Sequence, residues 1–533
     1  MNMQTLAAPQ TSPLQFINSA TCERWIEHLP LTNIQQAQRL LNSQTAALHR
    51  ADLPALERLK IVEALRQPVA FVQGECADRY LGKPLPLAAS ELATWREVIE
   101  LWESMTRNYQ QCLAACRSGE IAIAPHAALI AARLMRLIGC RMIDHYRVYQ
   151  HVPGELWGEL HTLYLAAEEY GFLHVRVADT FRPHGPDSSC ADIYLHVLLA
   201  HVANPYGLSA RQLGFVLRWL EKWAGLVKLL RRPLPVLAST ALAVDLDGAG
   251  GATFASELDP ASNLRYLDVE ELAKALRQTI TALKQGQTPA RLGLGGNAHQ
   301  PGCESLLMLL YVQWCRAGTG RIEERAEVDQ DAHLCFGVPA AHFQISGGRE
   351  FRQPGGLTSR EKRDLDTFGY VVRPRSEIVQ SGDFAFEACK IGNCSPSGFL
   401  CVLRDPKGAG RVNHNQIIAA QCSTASEFRL GFVQWMRVEA NGELRCGVRL
   451  FPGKPQAVAV RSANVKQGSN DYERALLVAA DAATATPATL ILPPGWFQCG
   501  GFIEVVTERH QVATMLNLLE KGSDFDRGTI VVV

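Results

Sequence analysis

Arg321-Ile-Glu-Glu-Arg325 and Asn393-Cys-Ser395-Pro-Ser-Gly398 are the two stretches around which the rest of the chain is read. The first directly follows a helical stretch, Glu304 to Arg316. The second is a polar turn between the β-like runs Phe384–Lys390 and Phe399–Leu403. An arginine fork is planar, permanently charged and carries donors matched to phosphate oxygens. It also matches the two acceptors on a guanine edge. Two forks leading into a strand-rich segment, opposite a polar turn on a sheet, form a clamp for a guanine nucleotide. In the alternative, Arg321 and Arg325 are solvated and pair with Glu323, Glu324 or Glu327.

Arg-x-x-x-Arg followed by Asn/Asp-x-Ser-x-x-Gly resembles the PilZ domain family, small β-barrels that bind cyclic di-GMP. The resemblance implies that Arg321 and Arg325 grip phosphates and guanine faces. It implies also that Asn393, Ser395 and Gly398 hold a base from the barrel wall. Phe432-Val-Gln-Trp-Met-Arg437 and Cys446-Gly-Val-Arg-Leu450 look like later strands of such a barrel, with a short run near Gly447 beside the ligand turn. Arg325 and Asn393 stand 68 positions apart, more than two or three ordinary strands need. The excess is read as a helical insertion at 347–382, opened by the capping-box pattern Thr358-Ser-Arg-Glu361.

Whole-chain numbers narrow the function classes. A length of 533 residues predicts more than one domain. Basic and acidic residues balance at 53 each, which argues against a general nucleic-acid binder, so an anion site has to be local. The fifteen cysteines are scattered, with no Cys-x-x-Cys pair, and read as buried thiols of a cytoplasmic protein. The start, Met1-Asn-Met-Gln-Thr, shows no export signal. The most apolar helical run, Ala124–Ile143, is interrupted by Arg133, Arg136 and Arg141 and does not read as a membrane span.

The overall expectation is an α+β multidomain chain. Residues 1–20 read as a disordered tail and 21–300 as a helical-hairpin domain resembling tetratricopeptide arrays. Residues 301–465 read as a PilZ-like β-barrel and 466–533 as a small C-terminal β module. Helices are expected from Asp52-Leu-Pro54, from about Ala88 to Cys116, and over Pro125–Tyr149 and Pro153–Tyr170. Further helices are expected over Ser188–Val202 and from Ser209, capped with Gln212, through Leu230. Asp268 opens another, closed by Gly286. Leu234–Asp247 alternates like one or two strands. Ala332–Phe336 and Ala341–Ile345 read as short strands, and Asn441-Gly442 as a type I′ hairpin turn. Stacked hairpins imply docking of a protein partner, while a plain supporting helical domain fits the same pattern.

Enzyme signatures are missing. The sequence has no His-Glu-x-x-His, Walker loop or Gly-x-Ser-x-Gly, and Gly248-Ala-Gly-Gly251 lacks the Lys-Ser/Thr of a phosphate loop. No catalytic residue, metal site, cofactor, nucleic-acid or membrane partner is assigned. The expected function is a cytoplasmic bacterial cyclic di-GMP receptor in which ligand at the barrel changes how barrel and helices dock, and the helical domain engages a protein partner. The alternative is a helical scaffold whose barrel no longer binds nucleotide.

Overall fold

The computed structural model describes residues 13–179, 181, 187–233, 241–315, 325–354, 363, 367, 384, 386–404, 411–423, 427–462, 471–480, 486–507 and 509–533. The chain divides into two compact units. One spans Met1–Lys83 and Leu87–Gly320, the other Pro84–Pro86 and Arg321–Val533. An N-terminal helical domain is followed by β-barrel modules.

The first unit holds helices α1 (Ser19–Glu27), α2 (Ile34–Arg50), α3 (Ala55–Ala77), α4 (Ala89–Arg117), α5 (Ala127–Arg147), α6 (Gly154–Glu169), α7 (Cys190–Val202), α8 (Ala210–Trp223), α9 (Glu270–Lys284) and α10 (Gly302–Cys315). Four short strands form a sheet of order β1-β4-β2-β3: β1 (Lys228–Leu230), β2 (Leu242–Asp245), β3 (Thr253–Phe254) and β4 (Leu264–Asp268). Helix α5 is apolar on two faces because it walls two cores. Ile130, Leu134 and Leu137 face the α1–α4 core. Ala131, Met135, Ile138 and Met142 face the core shared with α6–α10. Three of its arginines are neutralised by acids on other elements: Arg133 by Glu63 at 2.9 Å, Arg136 by Asp179 at 2.7 Å and Arg141 by Glu103 at 2.8 Å. Among the described residues no helix is long and apolar enough to cross a membrane.

Local signals placed several helix starts correctly. Ser189 and Ser209 close capping boxes with Asp192 and Gln212, each satisfying N–H groups that the first helical turn leaves open. Other expectations fail. Residues 13–20 are not loose tail, because Phe16 packs into the α1–α4 core and α1 starts at Ser19. The N-cap of α3 is Pro54, with no side-chain bond from Asp52. Helix α8 stops at Trp223 instead of running through Leu230, since Lys228–Leu230 pairs with β4. The Gly248–Gly251 turn lies against buried aromatic rings. The His161 Nε2 meets the Gly250 carbonyl at 3.0 Å, and a Cβ on Gly251 would run into His201 and Trp157.

The second unit carries two closed antiparallel barrels. The first has order β10-β7-β6-β5-β8-β9, from β5 (Ala326–Phe336), β6 (Glu387–Ser395), β7 (Gly398–Leu403), β8 (Ile417–Cys422), β9 (Arg429–Val438) and β10 (Leu444–Leu450). The other has order β11-β12-β13-β16-β15-β14, from β11 (Pro455–Ser462), β12 (Glu473–Val478), β13 (Thr489–Leu492), β14 (Phe502–Val506), β15 (His510–Lys521) and β16 (Asp526–Val532). The C-terminal module is therefore a full barrel, and its first strand begins at Pro455, ahead of the expected boundary at 466. The barrels share a core in which Phe432, Phe451 and Phe525 meet with ring centroids 5.6–6.1 Å apart, joined by Leu476, Val478 and Ile491.

Ala341–Ile345 is helix, not strand: it ends α11 (Val338–Ile345). Gly337 turns the chain at φ +87°, Pro339 suits the first helical turn, and Asp524 from the second barrel accepts the Val338 N–H at 3.2 Å. At the β9–β10 hairpin, Gly442 takes φ +85° and donates to the Glu439 carbonyl, while Asn441 keeps a negative φ. That is a type I turn followed by a left-handed glycine, not type I′. Of the expected insertion at 347–382, residues 355–362, 364–366 and 368–382 lie outside the described residues, as does the 234–240 part of the expected strand.

Candidate functional site

Arg325 is exposed and sits one residue before β5, where Ala326 pairs with Cys394. Its Nη1 donates to Asn393 Oδ1 at 3.0 Å, so the structure brings together two motifs far apart in sequence. Among the described residues Arg325 makes no ion pair, Glu327 included, and only one of its five donors is engaged. Arg321 lies outside the described residues.

Register shifts in β5 between Glu327 and Gln330, and in β6 between Ile391 and Asn393, mark bulges beside this contact. Bulges re-aim side chains, and here the shift sets Asn393 opposite Leu400. Leu400 stands opposite Gly447, and Gly447 opposite Trp435. Directly opposed residues share a face. Asn393, Leu400, Gly447 and Trp435 thus form one row across β6, β7, β10 and β9. The buried alternates Phe399, Cys401, Leu444, Cys446 and Val448 mark the other face as interior. The half-buried Trp435 indole lies directly over Gly447, where a Cβ would overlap the ring. The result is an outer wall with a cation and an amide at one end, an aliphatic centre and an indole at the other.

Ser395 and Gly398 shape the turn rather than the wall. Ser395 is buried, with Oγ 3.4 Å from both the Gly398 carbonyl and the Ser397 hydroxyl. A Cβ on Gly398 would collide with the Val448 carbonyl, so only glycine lets β10 come this close. The turn is braced from two strands: the Leu450 N–H donates to the Ser397 carbonyl and Arg429 Nη2 to the Pro396 carbonyl, both at 2.8 Å. Leu400 and Trp435 were not among the sequence candidates. The signal for Trp435 was a large aromatic on a strand between the polar Gln434 and the buried Met436.

Among the described residues no group of three His, Cys, Asp or Glu side chains is placed to hold a metal ion. All fifteen cysteines are free.

Two family models match this chain. Residues 20–234 match "Cyclic-di-GMP receptor FimW, N-terminal domain", and residues 458–530 match "FimW C-terminal beta-barrel domain". Over those two stretches the chain is similar to FimW domains. The matched stretches flank the first barrel, and the second of them falls within β11–β16. The Cyclic-di-GMP receptor FimW of Pseudomonas aeruginosa is 24% identical over 539 residues, covering 92% of this chain and 87% of the relative. The likeness to that FimW protein therefore runs through the first barrel and its wall as well. These matches name FimW and do not directly show the PilZ resemblance read from the two motifs.

Proposed function

We propose that this chain is a cyclic di-GMP receptor whose ligand lies on the outer wall of the first barrel. The observation that carries this is the Arg325–Asn393 bond, which joins the two motif halves on one exposed face. The name of the FimW relative points to the same ligand. In this reading Arg321 and Arg325 take phosphate oxygens and the guanine edge through charge-assisted bonds. Asn393 offers an amide to the base, and Ser395 and Gly398 hold the turn close to the wall. Trp435 supplies a flat face on which a purine stacks.

The helical unit, matched by the receptor's N-terminal-domain model, is the part we assign to a protein partner. Differential affinity for the liganded and free states would then drive the output, with no chemical step. The free thiols fit a cytoplasmic setting.

Calorimetry against cyclic di-GMP, GMP and linear dinucleotides tests the reading. Wild-type protein should bind the cyclic dinucleotide in preference to the others. No cyclic di-GMP binding up to about 100 μM, an interaction weaker than roughly −5.5 kcal/mol, would remove the receptor reading and leave the helical scaffold.

A further inference from the structure

Arg449 lies on β10 two residues beyond Gly447, about 7 Å along the strand. It stands directly opposite Gly398, and Gly398 opposite Ser395. The row Ser395–Gly398–Arg449 therefore runs beside the row Asn393–Leu400–Gly447–Trp435 on the same face. Gly398 has no side chain, so nothing from that position stands between the motif turn and the Arg449 guanidinium.

Other cations near this face are occupied. Arg429 is tied to the Pro396 carbonyl at 2.8 Å, and Arg437 and Arg445 both reach Glu439, at 2.6 and 3.4 Å. Arg449 is exposed and has no hydrogen-bond or ion-pair partner among the described residues. Its charge is felt by a second arginine. Arg527 of β16 is buried, bonded to Glu520 at 2.8 Å and stacked 4.2 Å over Phe451. Burial and the proximity of Arg449 both hold its pKa below the usual arginine value. An open, exposed guanidinium with no carboxylate partner among the described residues is available to an anion.

We infer that Arg449 is a further ligand-binding residue of this wall, taking a phosphodiester oxygen of the bound dinucleotide on the side of the turn away from Arg325. This rests on the proposed receptor reading. It also gives the site a link to the second barrel. Arg449 pairs in register with Phe432, one of the three rings at the junction of the barrels. An anion on Arg449 relieves the repulsion felt by Arg527 across that junction.

The test titrates the full chain with cyclic di-GMP by calorimetry, using wild type, Arg325→Ala, Arg449→Ala, Arg449→Lys and Arg404→Ala. Arg404, exposed just past the far end of β7, controls for loss of a surface charge. Arg449→Ala should weaken binding about tenfold. Arg449→Lys should recover part of that, and Arg404→Ala should bind as wild type. The ligand-free melting temperature of Arg449→Ala should match wild type. Wild-type affinity in Arg449→Ala, with Arg325→Ala weakened, overturns the inference and leaves the receptor reading standing. Weakened binding together with a lowered ligand-free melting temperature shows a structural role and also overturns it. Absence of binding by wild type removes both.

Discussion

In the first barrel the outward row across β6, β7, β10 and β9 reads Asn393, Leu400, Gly447, Trp435, with Arg325 at its end. In the second, the corresponding face across β14, β15 and β16 reads Phe502, Thr514, Val531, with Leu516 exposed nearby. Both barrels are closed, antiparallel and six-stranded. Each also seats an aromatic ring over a strand glycine, Trp435 on Gly447 and Phe497 on Gly528. The frame is common and the outward chemistry is not. What the wall can bind is therefore set by a few side chains placed by register and bulges, and the barrel alone decides none of it.

Four experiments break or sharpen this contrast. Gly398→Val should do most damage, because the new Cβ meets a backbone carbonyl rather than a movable side chain. Its expected cost is about 3 kcal/mol, read as a lower denaturant midpoint together with lost ligand binding. A fully stable, binding-competent variant would show that the close approach of β10 is dispensable.

Arg325→Ala should weaken cyclic di-GMP binding about ten- to hundredfold, about 1.5–3 kcal/mol, with little change in melting temperature. Lysine should rescue little, as it keeps the charge and loses the fork. If the first barrel's wall is the site, added salt should also weaken the wild-type interaction.

Asp524 tests how far the barrels act together. Its carboxylate accepts the Val338 and Ile417 N–H groups of the first barrel, at 3.2 and 3.0 Å. Burial pushes its pKa from 3.8 up to about 6, against the downward pull of those bonds. The folded state therefore holds this proton more tightly than the unfolded state. Asp524's contribution to stability should fall as pH rises from about 4 to about 6 and then level off. Urea midpoints across that window should show a slope that Asp524→Asn removes. An unchanged slope would mean that other groups dominate.

The smallest effect is expected on the apolar wall. Phe502→Ser is exposed in the second barrel and should change stability by no more than about 0.5 kcal/mol and leave cyclic di-GMP affinity alone. Altered affinity would move part of the site to that barrel.

Local chemistry was legible in the sequence, and long-range geometry was not. Ser209 with Gln212 reveals a helix start because both partners lie within one turn. The Arg325 and Asn393 motifs could be paired by their order. Their contact could not be seen, because it depends on two bulges and on which strand neighbours which. Ala341–Ile345 looks like a strand because the cap that makes it a helix comes from Asp524, 186 positions beyond Val338. Lys228–Leu230 continues an apolar helical run and becomes a strand only because β4 is there to pair with it. Arg449 is one arginine in Gly-Val-Arg-Leu until register places it opposite Gly398.

The junction of Phe432, Phe451 and Phe525 bears on how this protein can be inherited and cut. A chain ending after β10 would leave Phe432 without its ring partners and α11 without its Asp524 cap. It would also bare Ile417, Ala419 and Leu430 where Leu476 and Ile491 now cover them. The second barrel is thus no removable appendage: recombination or truncation that keeps the first barrel soluble has to carry both together.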